Sequence, residues 1–425
     1  MSRVIVIGAG AAGLMAACAA ADQGHRVTVI EKNEKAGKKI YITGKGRCNL
    51  TNDCSTEDFF DRVVRNPKFL YSSVYGFDHE AVKRFFDENG CPVKTERGLR
   101  VFPASDHACD VTDALMRHLK RKRVSVRFHT PAQNLAVEAE NGARKKITGV
   151  CLGDGSVLPA DSVILCTGGL SYPSTGSTGD GHRMAAEAGH DITPCLPSLV
   201  PMETAERWPL ELQGLSLKNV SVSIRPLESE AESDGGKKRR PVYSGFGEML
   251  FTHFGLSGPL ILTGSANCNF SQYPGGFRLL IDLKPAVSQE ELESRIRSLI
   301  EEAPERRFSN AVAGLFPLRL RDAAVQLSGI SPERAAKSIQ AGEIRAFTAL
   351  LKSIPLTLRG NRGFREAIVT RGGVSVREVD PSTMESRLVR GLFFAGEILD
   401  VDAVTGGFNL QIAWSTGHLA GESVR

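Results

Sequence analysis

Three glycines, Gly8, Gly10 and Gly13, stand directly behind an apolar run at residues 4–7 and constrain this chain more than any other feature. The order is strand, tight turn, helix, second strand and a terminal acid, Glu31, which lies 18 residues beyond Gly13 (31 − 13). Gly8 permits the turn, Gly10 lets the backbone approach a pyrophosphate, and Gly13 lets the helix pack closely on the sheet. The start of the helix points free N–H groups at the phosphates, and the acid accepts hydrogen bonds from a ribose. Gly8, Ala9, Gly10, Ala11, Ala12 and Gly13, with Glu31 and Lys32 beyond them, are therefore the first candidate dinucleotide contacts.

The same segment imitates a signal peptide: residues 4–21 are uncharged and largely apolar behind Arg3, with Ala17-Cys18-Ala19 resembling a cleavage site. That reading leaves three fingerprint glycines without a purpose and removes the cofactor site, so it is set aside. No other stretch approaches the ~20 apolar residues of a membrane helix. With 53 Lys and Arg against 48 Asp and Glu, the net charge of +5 is mild for 425 residues and does not call for nucleic acid. Nine cysteines form no C-x-x-C pair and no His/Cys cluster, so no metal site is expected and a reducing cytoplasm suits the chain.

Strand and helix patterns alternate through the first part, which predicts a doubly wound α/β sheet. Helices are expected at 56–64, 79–89 and 108–121, and strands at 124–129, 135–138 and 163–166. Beyond residue 195 the pattern becomes β-rich, with strands at 215–225, 242–252 and 277–283. It is then helical at 289–303, 318–327 and 332–352. The expected architecture is a Rossmann-like nucleotide-binding domain (1–194 and 357–425) interrupted by a β-barrel-like module (195–286 and 345–356), itself interrupted by a helical insert (287–344). The charged patch at 228–240, acids first and bases second, reads as a solvated hairpin loop.

Three further glycine-bearing blocks carry chemistry. In the first, at 37–52, Lys38, Lys39, Lys45 and Arg47 can neutralise a pyrophosphate. Gly44 and Gly46 let the backbone approach an aromatic ring, and Asn49 and Thr51 offer hydrogen bonds. Cys48 and Cys54 suggest a redox disulfide, but the five residues between them do not suit one; Cys48 is read as buried or packed on the cofactor. In the second block, an apolar strand ends in Thr167-Gly168-Gly169. In the third, a strand ends at Gly396-Glu397, the acid suited to a ribityl hydroxyl. Gly406-Gly407 then open a helix through Phe408, Asn409, Leu410 and Gln411. That helix start would favour the negative charge of a reduced flavin ring. Three glycine-bearing strand ends converging on one cofactor point to FAD rather than NAD.

These blocks, together with Gly247–Pro259 in the β-rich part, resemble in order the BaiN-like, or aminoacetone oxidase, family of FAD-binding flavoproteins. The resemblance spans essentially the whole chain. It implies an FAD domain with a barrel-like insert and a small helical domain, and a redox activity whose label differs between members. Ala403 and Phe408 stand where such proteins often carry Gly and Tyr. The reading is an FAD-dependent oxidoreductase acting on a small organic substrate, with oxygen or NAD(P)H as redox partner, and with neither nucleic acid nor membrane expected. An FAD-dependent RNA-modification enzyme and a non-catalytic flavin-binding protein are the alternatives. His253 is read as pinning a domain junction, and no residue emerges as catalytic acid, base or nucleophile.

Overall fold

Val4, Val6 and Ile7 are buried on both faces of a sheet, which is why the opening strand reads as a continuous apolar run rather than an alternating one. The computed structural model describes residues 1–139, 144–227 and 240–425; the charged patch at 228–239 lies outside them. The chain divides into two compact units, residues 1–198 with 363–425, and residues 199–362.

In the first unit, β1 (Arg3–Ile7) leads into α1 (Ala11–Asp22) and β2 (Arg26–Ile30). A short helix, α2 (Lys38–Ile42), and a long one, α3 (Ala108–Arg121), follow. Then come β3 (Ser125–Arg127), β4 (Ser162–Leu165), β5 (Leu392–Phe394) and α4 (Phe408–Glu422). The five strands form one parallel sheet in the order β5-β4-β1-β2-β3. Helix α1 is apolar on every side, and the segment that mimics a signal peptide is the centre of the core. Its outer face meets α4 at two glycines. A Cβ on Gly417 would lie 2.4 Å from the Ala12 carbonyl oxygen, and one on Gly421 2.3 Å from that of Ala16. Only glycine lets the two backbones come so close.

The second unit is a closed antiparallel barrel of six strands. Around it run Met202–Thr204, Gly255–Ser257, Tyr243–Thr252, Ser216–Pro226, Phe277–Asp282 and Ile354–Asn361, the last pairing back to the first. Along Ser216–Pro226, Val220, Val222 and Ile224 face the interior at every second position. A bulge at Asn219, whose φ is +58°, bends this strand around the barrel. Four helices, Gln289–Glu302, Phe308–Ala311, Leu318–Leu327 and Ala341–Lys352, occupy the connection before the closing strand. They share the barrel's apolar core, which includes Phe277, Phe308 and Phe347 and is separate from the core of the first unit. Among the described residues no helix is long and apolar enough to cross a membrane.

Candidate functional site

β1, β4 and β5 are parallel neighbours, so their carboxyl ends lie side by side, and each runs on into glycine. Gly8 follows β1, Gly168 and Gly169 follow β4 by way of Cys166 and Thr167, and Gly396 follows β5. Strand order reverses at β1, with β2 on one side and the much later β4 on the other. Open α/β sheets bind ligands outside the carboxyl ends at such a switch point.

The glycines of the first turn have different surroundings. Gly8 has φ +103°, and a Cβ there would come within 2.6 Å of the Cys166 carbonyl oxygen. A Cβ on Gly13 would lie 1.9 Å from the Gly8 carbonyl oxygen, so the helix could not sit on its own turn. Around Gly10 nothing lies within 4 Å of the added Cβ. Gly10 is also the N-cap of α1, with no side-chain cap and no acid in the first turn, which leaves a helix start suited to an anion.

Glu31 holds this turn in place. Its Oε2 accepts the Ala9 N–H at 2.8 Å, and its Oε1 accepts the backbone N–H of Asn33 at 2.9 Å and the Asn33 Nδ2 at 2.7 Å. A carboxylate has about four acceptor positions, so capacity remains for a ribose hydroxyl. Lys32 donates to Thr178 Oγ1 and Asp180 Oδ2, both at 2.6 Å, tying the loop after β4 to the end of β2.

A second network joins α2 to the other strand ends. Lys39 Nζ donates to Glu397 Oε2 and Ser171 Oγ, each at 2.6 Å. Glu397 Oε1 accepts the Ser171 hydroxyl at 2.5 Å and the Thr370 N–H at 2.8 Å. Thr370 Oγ1 accepts the N–H groups of Leu170 and Ser171, and Gly169 leaves room for it, since a Cβ there would lie 2.3 Å from that hydroxyl. Arg47 is paired with Glu96 and Asp106 and stacks over Phe102 at 4.2 Å. Lys39 and Arg47, both expected to neutralise a pyrophosphate, are thus each met by carboxylates of the chain. Lys38 likewise pairs with Glu34, whereas Lys45 is exposed.

Gly44, in the turn between α2 and Asn49, has φ +57° and sits against the Asn49 backbone; Gly46 follows at φ +85°. Cys48 is fully buried at φ +60°, and burial pushes its thiol up to about 12, which makes it an inert packing group. All nine cysteines are free thiols. Residues 50–52 then meet the start of α4. Gln411 Oε1 accepts the Thr51 hydroxyl at 2.6 Å, Trp414 donates to the Leu50 carbonyl at 2.9 Å, and Gly407 allows backbone contact with Thr51. Asn409 closes the loop before α4 by bonding both backbone groups of Ala403 at 2.9 and 2.7 Å. Phe408 is buried with its ring 5.8 Å from that of Phe59, and Leu410 is half-buried.

Two buried side-chain atoms in these turns, Thr167 Oγ1 and Asn49 Oδ1, have no hydrogen-bond partner among the described residues. Thr167 Oγ1 lies against Gly181, on which a Cβ would come within 1.9 Å of it. Asp402 is a third case. Its Oδ2 accepts the Ser198 hydroxyl at 3.0 Å, its Oδ1 is unpartnered among the described residues, and burial raises its pKa to about 6. Sequence reasoning missed the roles of Ser171, Thr370 and Asp402. Ser171 lies inside a glycine block already singled out, but Thr370 has no local signature. His253, in the barrel unit, is exposed and packs edge-on against Phe254 at 4.9 Å.

With this geometry in hand, likeness to known proteins becomes informative. Residues 2–423 match the family of the HI0933-like protein Rossmann domain. A 3-dehydro-bile acid delta(4,6)-reductase of Clostridium scindens is 31% identical over 426 residues, covering 100% of this chain and 99% of the relative. A ribosomal RNA dihydrouridine synthase of Escherichia coli is 31% identical over 412 residues, covering 97% and 95%. In fold, the chain is similar to 3-ketosteroid delta1-dehydrogenase of Sterolibacterium denitrificans, with a TM-score of 0.52 at 14% identity over 99% and 98% of the two chains. A glycine turn at a switch point, with a full-length family match around it, leads to one conclusion: the chain belongs to the HI0933-like Rossmann-domain family and is an FAD-dependent oxidoreductase.

Proposed function

We propose that this enzyme saturates a carbon–carbon double bond conjugated to a carbonyl in a small organic substrate, drawing its reducing equivalents from NAD(P)H, with oxygen able to reoxidise it. One observation carries the reading. Two relatives at equal identity, each matched over nearly its whole length, bear names that describe saturation of such a bond, one in an oxidised bile acid and one in the uracil ring. The shared element is the electron-poor alkene, not the molecule around it.

The residues described above suit FAD. The uncapped start of α1 would hold the diphosphate over Gly10, with Ala9, Ala11, Ala12 and Gly13 supplying the turn and Gly8 its conformation. Glu31 would take the ribose, with Lys32 bracing the neighbouring loop. Thr167, Gly168, Gly169, Gly44, Gly46, Cys48 and Asn49 would wall the cofactor, Thr167 and Asn49 with buried polar atoms that otherwise lack partners. Lys39, Gly396 and Glu397 would keep the strand ends in register, and Arg47 would brace the 37–52 turn through its carboxylates. Gly407, Phe408, Asn409, Leu410 and Gln411 would set the start of α4, whose positive end favours negative charge on a reduced ring. When bound, FAD supplies the hydride chemistry; the chain supplies position and electrostatics.

Anaerobic stopped-flow spectroscopy of the yellow holoenzyme tests this. NADH or NADPH should bleach the flavin, and an added cyclic enone should restore the oxidised spectrum much faster than buffer does. Reoxidation at the buffer rate by a panel of enones would remove the alkene reading. A second reading, in which the reduced ring is carried by RNA, is favoured by the Escherichia coli relative.

A further inference from the structure

Three carboxylates are buried among the described residues, Glu31, Asp400 and Asp402, and they are satisfied unequally. Glu31 accepts three N–H groups, and Asp400 takes both prongs of the Arg65 guanidinium at 2.8 and 2.9 Å. Asp402, the most deeply buried, has a single side-chain donor, the Ser198 hydroxyl at 3.0 Å from Oδ2. Its Oδ1 meets no donor among the described residues. A carboxylate offers about four acceptor positions, so the anion of Asp402 is left largely unsatisfied between the buried side chains of Val401 and Ala403. The charges facing it are few. Arg371, on the strand Val369–Val374, and Arg65 favour its ionised form, and Asp400, in its own loop, opposes it. Burial outweighs them and raises its pKa to about 6.

The main chain ties this carboxyl group to the start of α4. The Asp402 carbonyl accepts the Val64 N–H at 2.8 Å, and the N–H of the same peptide unit, on Ala403, donates to Asn409 Oδ1 at 2.9 Å. Asn409 is the second residue of α4. Asp402 therefore stands beside the helix start whose positive end favours negative charge on a reduced ring. We propose that Asp402 is the proton partner of the reduced flavin, taking a proton from solvent when the ring is reduced and returning it when the ring is reoxidised. The balance is simple. A hydride from NAD(P)H carries two electrons and one proton, which leaves one negative charge at the start of α4, and the proton on Asp402 offsets it. Repulsion between two anions drives the uptake, because the carboxylate has too few donors to screen it. By linkage, protonated Asp402 favours reduction and ionised Asp402 opposes it. The inference rests on the reading that sets the reduced ring at the start of α4, and it holds whatever substrate the ring reduces.

The test uses the full-length holoenzyme, reduced anaerobically by light and EDTA, so that neither NAD(P)H nor an enone takes part and the result is independent of the alkene reading. Proton uptake is followed with a pH indicator in weak buffer, and the midpoint potential is measured against reference dyes from about pH 5 to 8. Comparison with Asp402→Asn cancels the protons of the reductant itself. A shift of about one unit in the carboxyl pKa on reduction gives wild type roughly half a proton more per flavin than the variant at about pH 6.5. The wild-type potential should fall more steeply with pH than that of Asp402→Asn between about pH 6 and 7, the variant lying higher at pH 8 and the two meeting near pH 5. Ser198→Ala, which removes the one side-chain donor, should move the steep segment to higher pH, and it decides the matter should Asp402→Asn fail to hold flavin. Equal proton uptake with parallel potential curves for wild type and Asp402→Asn would overturn the inference. So would a Ser198→Ala curve that coincides with wild type.

Discussion

Gly10 and Gly13 sit three residues apart in one motif yet should fail differently when a methyl group is added. A methyl on Gly13 would lie 1.9 Å from a carbonyl oxygen of its own turn, whereas one on Gly10 would meet nothing within 4 Å. Gly13→Ala should therefore destabilise the fold by about 3 kcal/mol or more, read by urea unfolding of the apoprotein. Gly10→Ala should leave apoprotein stability within about 0.5 kcal/mol of wild type yet weaken FAD binding at least tenfold. Equal loss of stability in both variants would mean that Gly10 does not face the ligand. Asp402 gives a pH signature. Its folded pKa of about 6 lies above the carboxylate value of an unfolded chain, so the native state binds the extra proton. Stability from this group is complete below about pH 4 and is lost as pH rises through 6, by roughly 3 kcal/mol. Asp402→Asn should flatten that part of the pH–stability curve; an unchanged slope between pH 4 and 7 would refute the assignment. The two glycine roles were legible in the motif, but the state of Asp402 was not. The glycine spacing announced the turn, but burial of Asp402 depends on Ser198, two hundred residues away in sequence.

At the scale of elements, the helices with clear periodicity were legible. The expected helices at 108–121 and 318–327 coincide with those observed, since apolar residues recur at helical spacing along both. The expected helix at 56–64 stops at Phe60, because Val63 forms a bridge to Ala403 and Val64 donates to the Asp402 carbonyl. The expected helix at 332–352 begins only at Ala341, where Glu343 accepts the Gln340 N–H at 2.9 Å; glutamine is not a usual N-cap residue, so this start has no clear signature in the sequence. The barrel's closing strand, Ile354–Asn361, was missed altogether. Pro355 argues against a strand, yet Ile354, Leu356 and Leu358 alternate into the core beside it. Contact between α1 and α4 was equally illegible, because it links the two ends of the chain. Gly417→Ala tests it: the helix gains about 1 kcal/mol of propensity, but the methyl meets the Ala12 backbone. A net fall of about 5 °C in melting temperature is expected, with partial loss of bound flavin, since α1 carries the turn. A rise in melting temperature would show that the interface can part freely.

Over the whole molecule, every candidate cofactor residue, from Gly8 to Gln411, lies in residues 1–198 or 363–425. A chain in which a short Gly-Ser linker replaces residues 199–362 should thus fold and retain yellow colour at one FAD per chain. A colourless but folded product would place essential contacts in the barrel unit. The excursion is well placed for such surgery. Ser198 pairs with Val369 across two antiparallel strands, and the Arg362 N–H bonds the Pro201 carbonyl at 3.1 Å, so the chain departs and comes back through adjacent strands. The barrel unit is thus a single insertion, entered and left through neighbouring strands. An engineer who exchanges such an insertion for another asks of the remaining chain only that two neighbouring strands be rejoined.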